Sequence, residues 1–141
     1  MLGVVIEFKF SAAHKIAGHP KCGKLHGHNY RVRIWFRYRR DVDSADLCTE
    51  EIAVNSFNDC LQKLYVDLGK LKGVINKEVI DELDHHNLND VFASRSVFGE
   101  FLAVYIYRKV TTICKRYFKD LEVVRVEIWE TDRLGVWYVK L

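Results

Sequence analysis

Apolar residues in this chain recur at two spacings, every second residue near both ends and every third or fourth residue between them. Residues 2–14 place Val4, Ile6, Phe8, Phe10, Ala12 and His14 on one side of an extended chain. Residues 15–25 break the alternation with Gly18, Pro20 and Gly23, which marks a loop. Residues 26–40 then form a second, long strand. Its apolar face is His28, Tyr30, Val32, Ile34, Phe36 and Tyr38, and its other face carries Arg31, Arg33, Trp35, Arg37 and Arg39.

Residues 41–60 open with acidic residues and then become mixed, which reads as a turn and an insertion with a short helix. Gln62–Asp67 reads as a short extended piece. From Leu68 to Leu83 the apolar positions Leu71, Val74, Ile75, Val79, Ile80 and Leu83 fall at helical spacing, and a polar loop follows at 84–90. A longer helix is predicted from Val97 to Phe118. Two strands close the chain. Val123–Thr131 would align Val124, Val126, Ile128 and Glu130 on one face, and 135–141 would pair with it across Thr131–Leu134. The order ββααββ predicts an α+β fold, an antiparallel four-stranded sheet with two helices on one face. Its open edges favour subunits pairing edge to edge.

The length of 141 residues predicts a single domain, 1–141. With 49% hydrophobic and 29% charged residues, the chain has a folded rather than a disordered composition. A net charge of +3 suits an anionic small molecule and falls short of a nucleic-acid footprint. The arginine face of the second strand admits an RNA-binding reading, but a solvated or subunit-facing side of a half-buried strand explains it better. The N-terminus lacks a basic, then apolar, export signal, and no apolar run reaches membrane-spanning length. The four cysteines form no Cys-x-x-Cys pair, so free thiols and a cytoplasmic location are expected.

The chemistry centres on Cys22-Gly-Lys-Leu-His26-Gly-His28. In a strand, His26 and His28 share a face about 6.5–7 Å apart, and His14 ends another strand in phase with its apolar side. If the two strands pair, three imidazoles meet. Three histidines with an open fourth position are a usual arrangement for catalytic zinc. A single histidine on an apolar face is more often a satisfied core residue, but three in phase are harder to read that way. Spacing leaves Cys22 open as a fourth ligand or as a thiol beside the metal. Glu130, at the end of an apolar strand face, either reaches solvent or needs a partner.

Phe10-Ser-Ala-Ala-His14, Cys22-x-x-x-His26-Gly-His28-Asn-Tyr30, Leu83-Asp-His85-x-Asn-Leu-Asn89 and Glu130-Thr131 together resemble the 6-pyruvoyl-tetrahydropterin synthase family. The three-residue spacer after Cys22 resembles its 6-carboxy-tetrahydropterin synthase branch, which feeds 7-deazaguanine (queuosine and archaeosine) synthesis. A third branch carries Glu where Gly23 stands here. The resemblance implies the tunnelling fold and zinc held by His14, His26 and His28. It implies Cys22 as the proton-moving thiolate, with Asp84 and His85 as its relay. Glu130 would anchor the pterin, with Glu100 beside it, and Lys24 would meet the triphosphate. The implied substrate is 7,8-dihydroneopterin triphosphate, and the implied assembly is a barrel-forming trimer doubled into a hexamer. The pyruvoyl-forming reaction is the alternative. Two features depart from the family pattern: Val97-Phe98-Gly99-Glu100 replaces the usual Pro-Thr-Ser-Glu, and the 41–60 stretch is longer than usual.

Overall fold

Strict alternation at the N-terminal end becomes a pair of long antiparallel strands, β1 (Gly3–His14) and β2 (His26–Tyr38). The computed structural model describes residues 1–40 and 61–141. The predicted insertion at 41–60, with its short helix, therefore lies outside the described residues. The register pairs Phe10 with Tyr30, Ala12 with His28 and His14 with His26. Every second side chain of both strands consequently enters one layer, and the two lines of residues end together at the histidines.

The middle of the chain starts at an unambiguous cap. Asp67 accepts a hydrogen bond from the Lys70 amide at 3.0 Å and opens α1 (Leu68–Ile75). The helical path continues through a π-helical segment (Asn76–Ile80) into α2 (Asp81–Leu83), so the predicted helix exists but is widened in its middle. Leu71, Ile75, Val79, Ile80 and Leu83 are buried along it. The predicted extended piece at Gln62–Asp67 is not a strand. Leu61 and Gln62 are helical, the Leu64 amide donates to the Leu61 carbonyl at 2.9 Å, and Leu64 is buried. Its alternation imitates a strand, but among the described residues no strand pairs with it.

The segment predicted as a polar loop contains two elements. His86–Asn87 forms β3, parallel to β1 at Ala12 and Ala13, and Leu88–Val91 forms α3. Hydrogen bonding creates β3 where the sequence shows no alternation: Asp84 Oδ1 accepts from the Ser11 amide at 2.9 Å, and the His85 amide donates to the Ser11 carbonyl at 2.6 Å. His85 reaches this position with a left-handed φ of 59°. Asn89 is 6% exposed and ties three stretches together. Its Oδ1 accepts from the Lys15 amide, and its Nδ2 donates to the Lys15 and Ser94 carbonyls, at 2.8, 3.0 and 3.1 Å.

The long helix α4 spans Gly99–Tyr117, leaving Val97 outside it and Phe98 extended at its start. β4 (Leu121–Trp129) pairs with β2, and β5 (Gly135–Val139) pairs with β4, both antiparallel. The sheet order is β3-β1-β2-β4-β5, a mixed five-stranded sheet rather than the predicted four antiparallel strands. A bulge also corrects the predicted face of β4. Trp35 pairs with Arg125 and Phe36 with Val123, so Val124 is an extra residue. Leu121, Val123, Val126 and Ile128 are the buried apolar positions, and Val124 is half-buried. One core joins these residues to the inner faces of β1 and β2 and to the apolar stripes of both helical segments. On the opposite face Val5, Trp35 and Trp137 stay exposed.

Candidate metal and active site

Where β1 and β2 end together, three imidazoles converge. The rings of His14, His26 and His28 lie 4.6–4.9 Å apart, centre to centre. Their ligand atoms all fall within 4.8 Å of one another. His14 is 1% exposed, and its Nδ1 lies 2.6 Å from the Val97 carbonyl. The Nδ1 of His26 lies 2.7 Å from the Lys24 carbonyl. A carbonyl oxygen only accepts, so both Nδ1 atoms carry the proton and both Nε2 atoms keep a free lone pair. The Nε2 of His28 is buried without a hydrogen-bond partner. Burial pushes the His28 imidazole below its ordinary pKa of 6.5. The Glu130 carboxylate acts in the opposite sense, and the two neighbouring histidines add to the lowering. These features fit a divalent metal that favours neutral imidazole. Nitrogens around one tetrahedral zinc stand about 3.4 Å apart, so small ring rotations close the present spacing.

The remaining predicted residues are distributed less tightly. Glu130 follows β4 directly, and its Oε2 is 4.0 Å from His28 Nε2. Val126 and Ile128 precede it on the buried side, so the strand delivers this carboxylate to the histidine side of the sheet. Cys22 is a half-buried free thiol in the loop between β1 and β2. Its amide donates to His19 Nδ1 at 2.8 Å, and its carbonyl accepts from the Ile16 amide at 2.7 Å. The cysteine does not belong to the metal-ligating group, which among the described residues consists of the three histidines.

Asp84 and His85 form their own pair, Oδ1 to Nδ1, at 2.9 Å. The Ser11 amide, and after it His85, holds the Asp84 carboxyl below the usual carboxylate range. Asp84 lines a cleft of about 450 Å³ with Ser11, Asn29, Tyr30, Arg31, Trp129 and Thr131, and no triad histidine lines it. Among the described residues, no hydrogen bond or ion pair joins Asp84 or His85 to Cys22 or to the triad. Lys24 and Glu100 are both exposed, and Glu100 sits in the first turn of α4.

Two further residues adjoin the histidines, Val97 by a main-chain contact and Tyr30 by its ring. Val97 orients His14 through its main-chain carbonyl, which no side-chain pattern reports. Tyr30 follows His28 by two residues on the same face and is 1% exposed. Its position in phase with His28 was the available signal, but an aromatic residue there also reads as core. The arginine strip is partly neutralised, with Arg31 and Arg33 sharing one carboxylate. Arg31 and Arg33 lie 3.6 and 3.1 Å from Glu7, and Arg37 lies 2.7 Å from Glu122.

Residues 3–140 match the sequence profile of the 6-pyruvoyl tetrahydropterin synthase family. The chain belongs to that family. A protein of Archaeoglobus fulgidus, provisionally assigned as a 6-carboxy-5,6,7,8-tetrahydropterin synthase, is 38% identical over 127 residues, covering 90% of this chain and 86% of its own. The 6-carboxy-5,6,7,8-tetrahydropterin synthase of Synechocystis is 32% identical over 105 residues, covering 74% and 70%. The solved structure of Caenorhabditis elegans 6-pyruvoyl tetrahydropterin synthase superposes with a TM-score of 0.66 at 25% identity, covering 100% of this chain and 98% of the other. Membership in this synthase family makes the chain a pterin-directed enzyme with a three-histidine group suited to a metal ion. No helix among the described residues is long and apolar enough to cross a membrane.

Proposed function

We propose that the protein is a zinc-dependent lyase converting 7,8-dihydroneopterin triphosphate and one water to 6-carboxy-5,6,7,8-tetrahydropterin, triphosphate and acetaldehyde, in the cytoplasmic supply of 7-deazaguanine precursors. The observation that carries this reading is the convergence of His14, His26 and His28 within 4.8 Å, with the Glu130 carboxylate 4.0 Å from His28. The names of the Archaeoglobus and Synechocystis relatives favour the carboxy product. Pyruvoyl formation is the second reading, favoured by the name of the Caenorhabditis structure.

In this account Glu130 accepts two hydrogen bonds from the amino-pyrimidine edge of the pterin and fixes its orientation. Zinc, when bound, supplies Lewis acidity toward the side-chain oxygens of the substrate. Cys22 removes the side-chain proton as a thiolate, which a nearby cation favours. Lys24, exposed beside the site, meets the triphosphate, and Glu100 closes the pterin side from the first turn of α4. The relay pair Asp84–His85 is not joined to Cys22 within one chain, and a neighbouring copy supplies it in a trimer doubled to a hexamer. The test is metal removal: chelation abolishes turnover, and about one zinc per chain restores it. Full activity in metal-free protein would refute the proposal.

A further inference from the structure

Burial without a partner is costly for a hydroxyl group, because the water it lost is not replaced. Tyr30 is 1% exposed, and its Oη has no hydrogen-bond partner. Two residues earlier on the same strand face, His28 Nε2 is in the same condition. The two orphaned atoms therefore belong to adjoining side chains at one place. The Tyr30 ring centre is 5.4 Å from that of His28 and 5.9 Å from that of His14, and the ring stacks on Phe10 at 4.7 Å. Packing fixes the ring, so the hydroxyl cannot swing out to solvent. A phenolic hydroxyl carries its proton at neutral pH, so the group is available as a donor.

We infer that Tyr30 is a ligand-positioning residue whose hydroxyl donates a hydrogen bond to an oxygen of the small molecule seated at the three-histidine centre. The ligand class is a side chain with vicinal oxygens, one facing the histidines and one within reach of the phenol. A neutral donor suits such a ligand, since it discriminates oxygen from carbon or a cationic nitrogen at that position. This inference rests on the metal-centre reading above and adds a recognition element to it.

The test uses Tyr30→Phe, which keeps the ring and its stack, and acetohydroxamate as a vicinal-oxygen probe. Three quantities are measured: the melting midpoint of metal-free protein, zinc affinity by chelator competition, and acetohydroxamate affinity of the zinc-loaded protein. The expected result is a metal-free midpoint equal to or above the parent's, because an unsatisfied buried hydroxyl has been removed. Zinc affinity stays within about two-fold, while acetohydroxamate binds about ten-fold more weakly, the worth of one hydrogen bond. Equal acetohydroxamate affinity in both zinc-loaded proteins overturns the inference and leaves the metal-centre reading intact. A parent protein that binds no zinc overturns both.

Discussion

His28 is held neutral by its surroundings before any ion arrives, since burial and two neighbouring imidazoles outweigh the attraction of Glu130. The unfolded chain takes up a proton here just below pH 6.5, whereas the folded chain resists it. The contribution of His28 to the stability of the metal-free protein is therefore fully present above pH 6.5 and is lost as the pH drops from there through the lowered folded value. Zinc affinity follows the same direction, because protons compete for the ligand nitrogens. Chelator competition at pH 7.5 and 5.5 should show at least about a ten-fold loss on acidification. Cys22 gives a second prediction. Cys22→Ala should keep one zinc per chain and the parental melting midpoint while losing about a hundred-fold or more in turnover. Zinc loss in that variant would instead make Cys22 a ligand. The triad was legible because a strand's two-residue period sets His26 beside His28 and brings His14 into phase. Tyr30 obeys the same period, yet its role depends on a hydrogen bond that is missing, and sequence carries no record of that.

At the scale of elements, strong alternation and helical spacing were readable, and structure held by side-chain hydrogen bonds was not. β3 exists because Asp84 and His85 grip Ser11, and the Asn89 amide fastens the loops around Lys15 and Ser94. Asn89→Ala removes three buried bonds and strands main-chain groups, so urea unfolding should show a loss of about 2–4 kcal/mol. An equally stable variant would contradict this role. The bulge in β4 supports a second test. Val124 is the extra residue, so deleting it restores regular alternation between Val123 and Arg125. That deletion should fold at a cost of about 1–2 kcal/mol, whereas deleting Val126 should push Ile128 and Glu130 to the wrong face and prevent folding. The error in the predicted β4 face has the same origin, since a one-residue insertion leaves no mark in an all-apolar stretch such as Val123-Val124.

Across the whole molecule, the catalytic assignments divide between two places. The triad and Glu130 lie at one site, and Asp84 lines a cleft that shares Tyr30 with that site but none of its histidines. Among the described residues, β5 ends the sheet on one side, and β1 is paired with β3 only at Ala12 and Ala13 on the other. Open edges of this kind favour closure between copies. Sedimentation equilibrium should give three or six times the chain mass, and a monomer retaining full activity would contradict a shared site. The overall class of fold was legible because two alternating pairs flank two helical stripes. The assembly was not, because both edges are built from main-chain groups that every sequence possesses.

The central claim concerns the product. Zinc-loaded protein incubated with 7,8-dihydroneopterin triphosphate should yield 6-carboxy-5,6,7,8-tetrahydropterin, acetaldehyde and triphosphate by mass spectrometry, and Cys22→Ala should yield none of them. A pyruvoyl product without acetaldehyde, or an unchanged substrate in the presence of folded, zinc-loaded protein, would contradict the account.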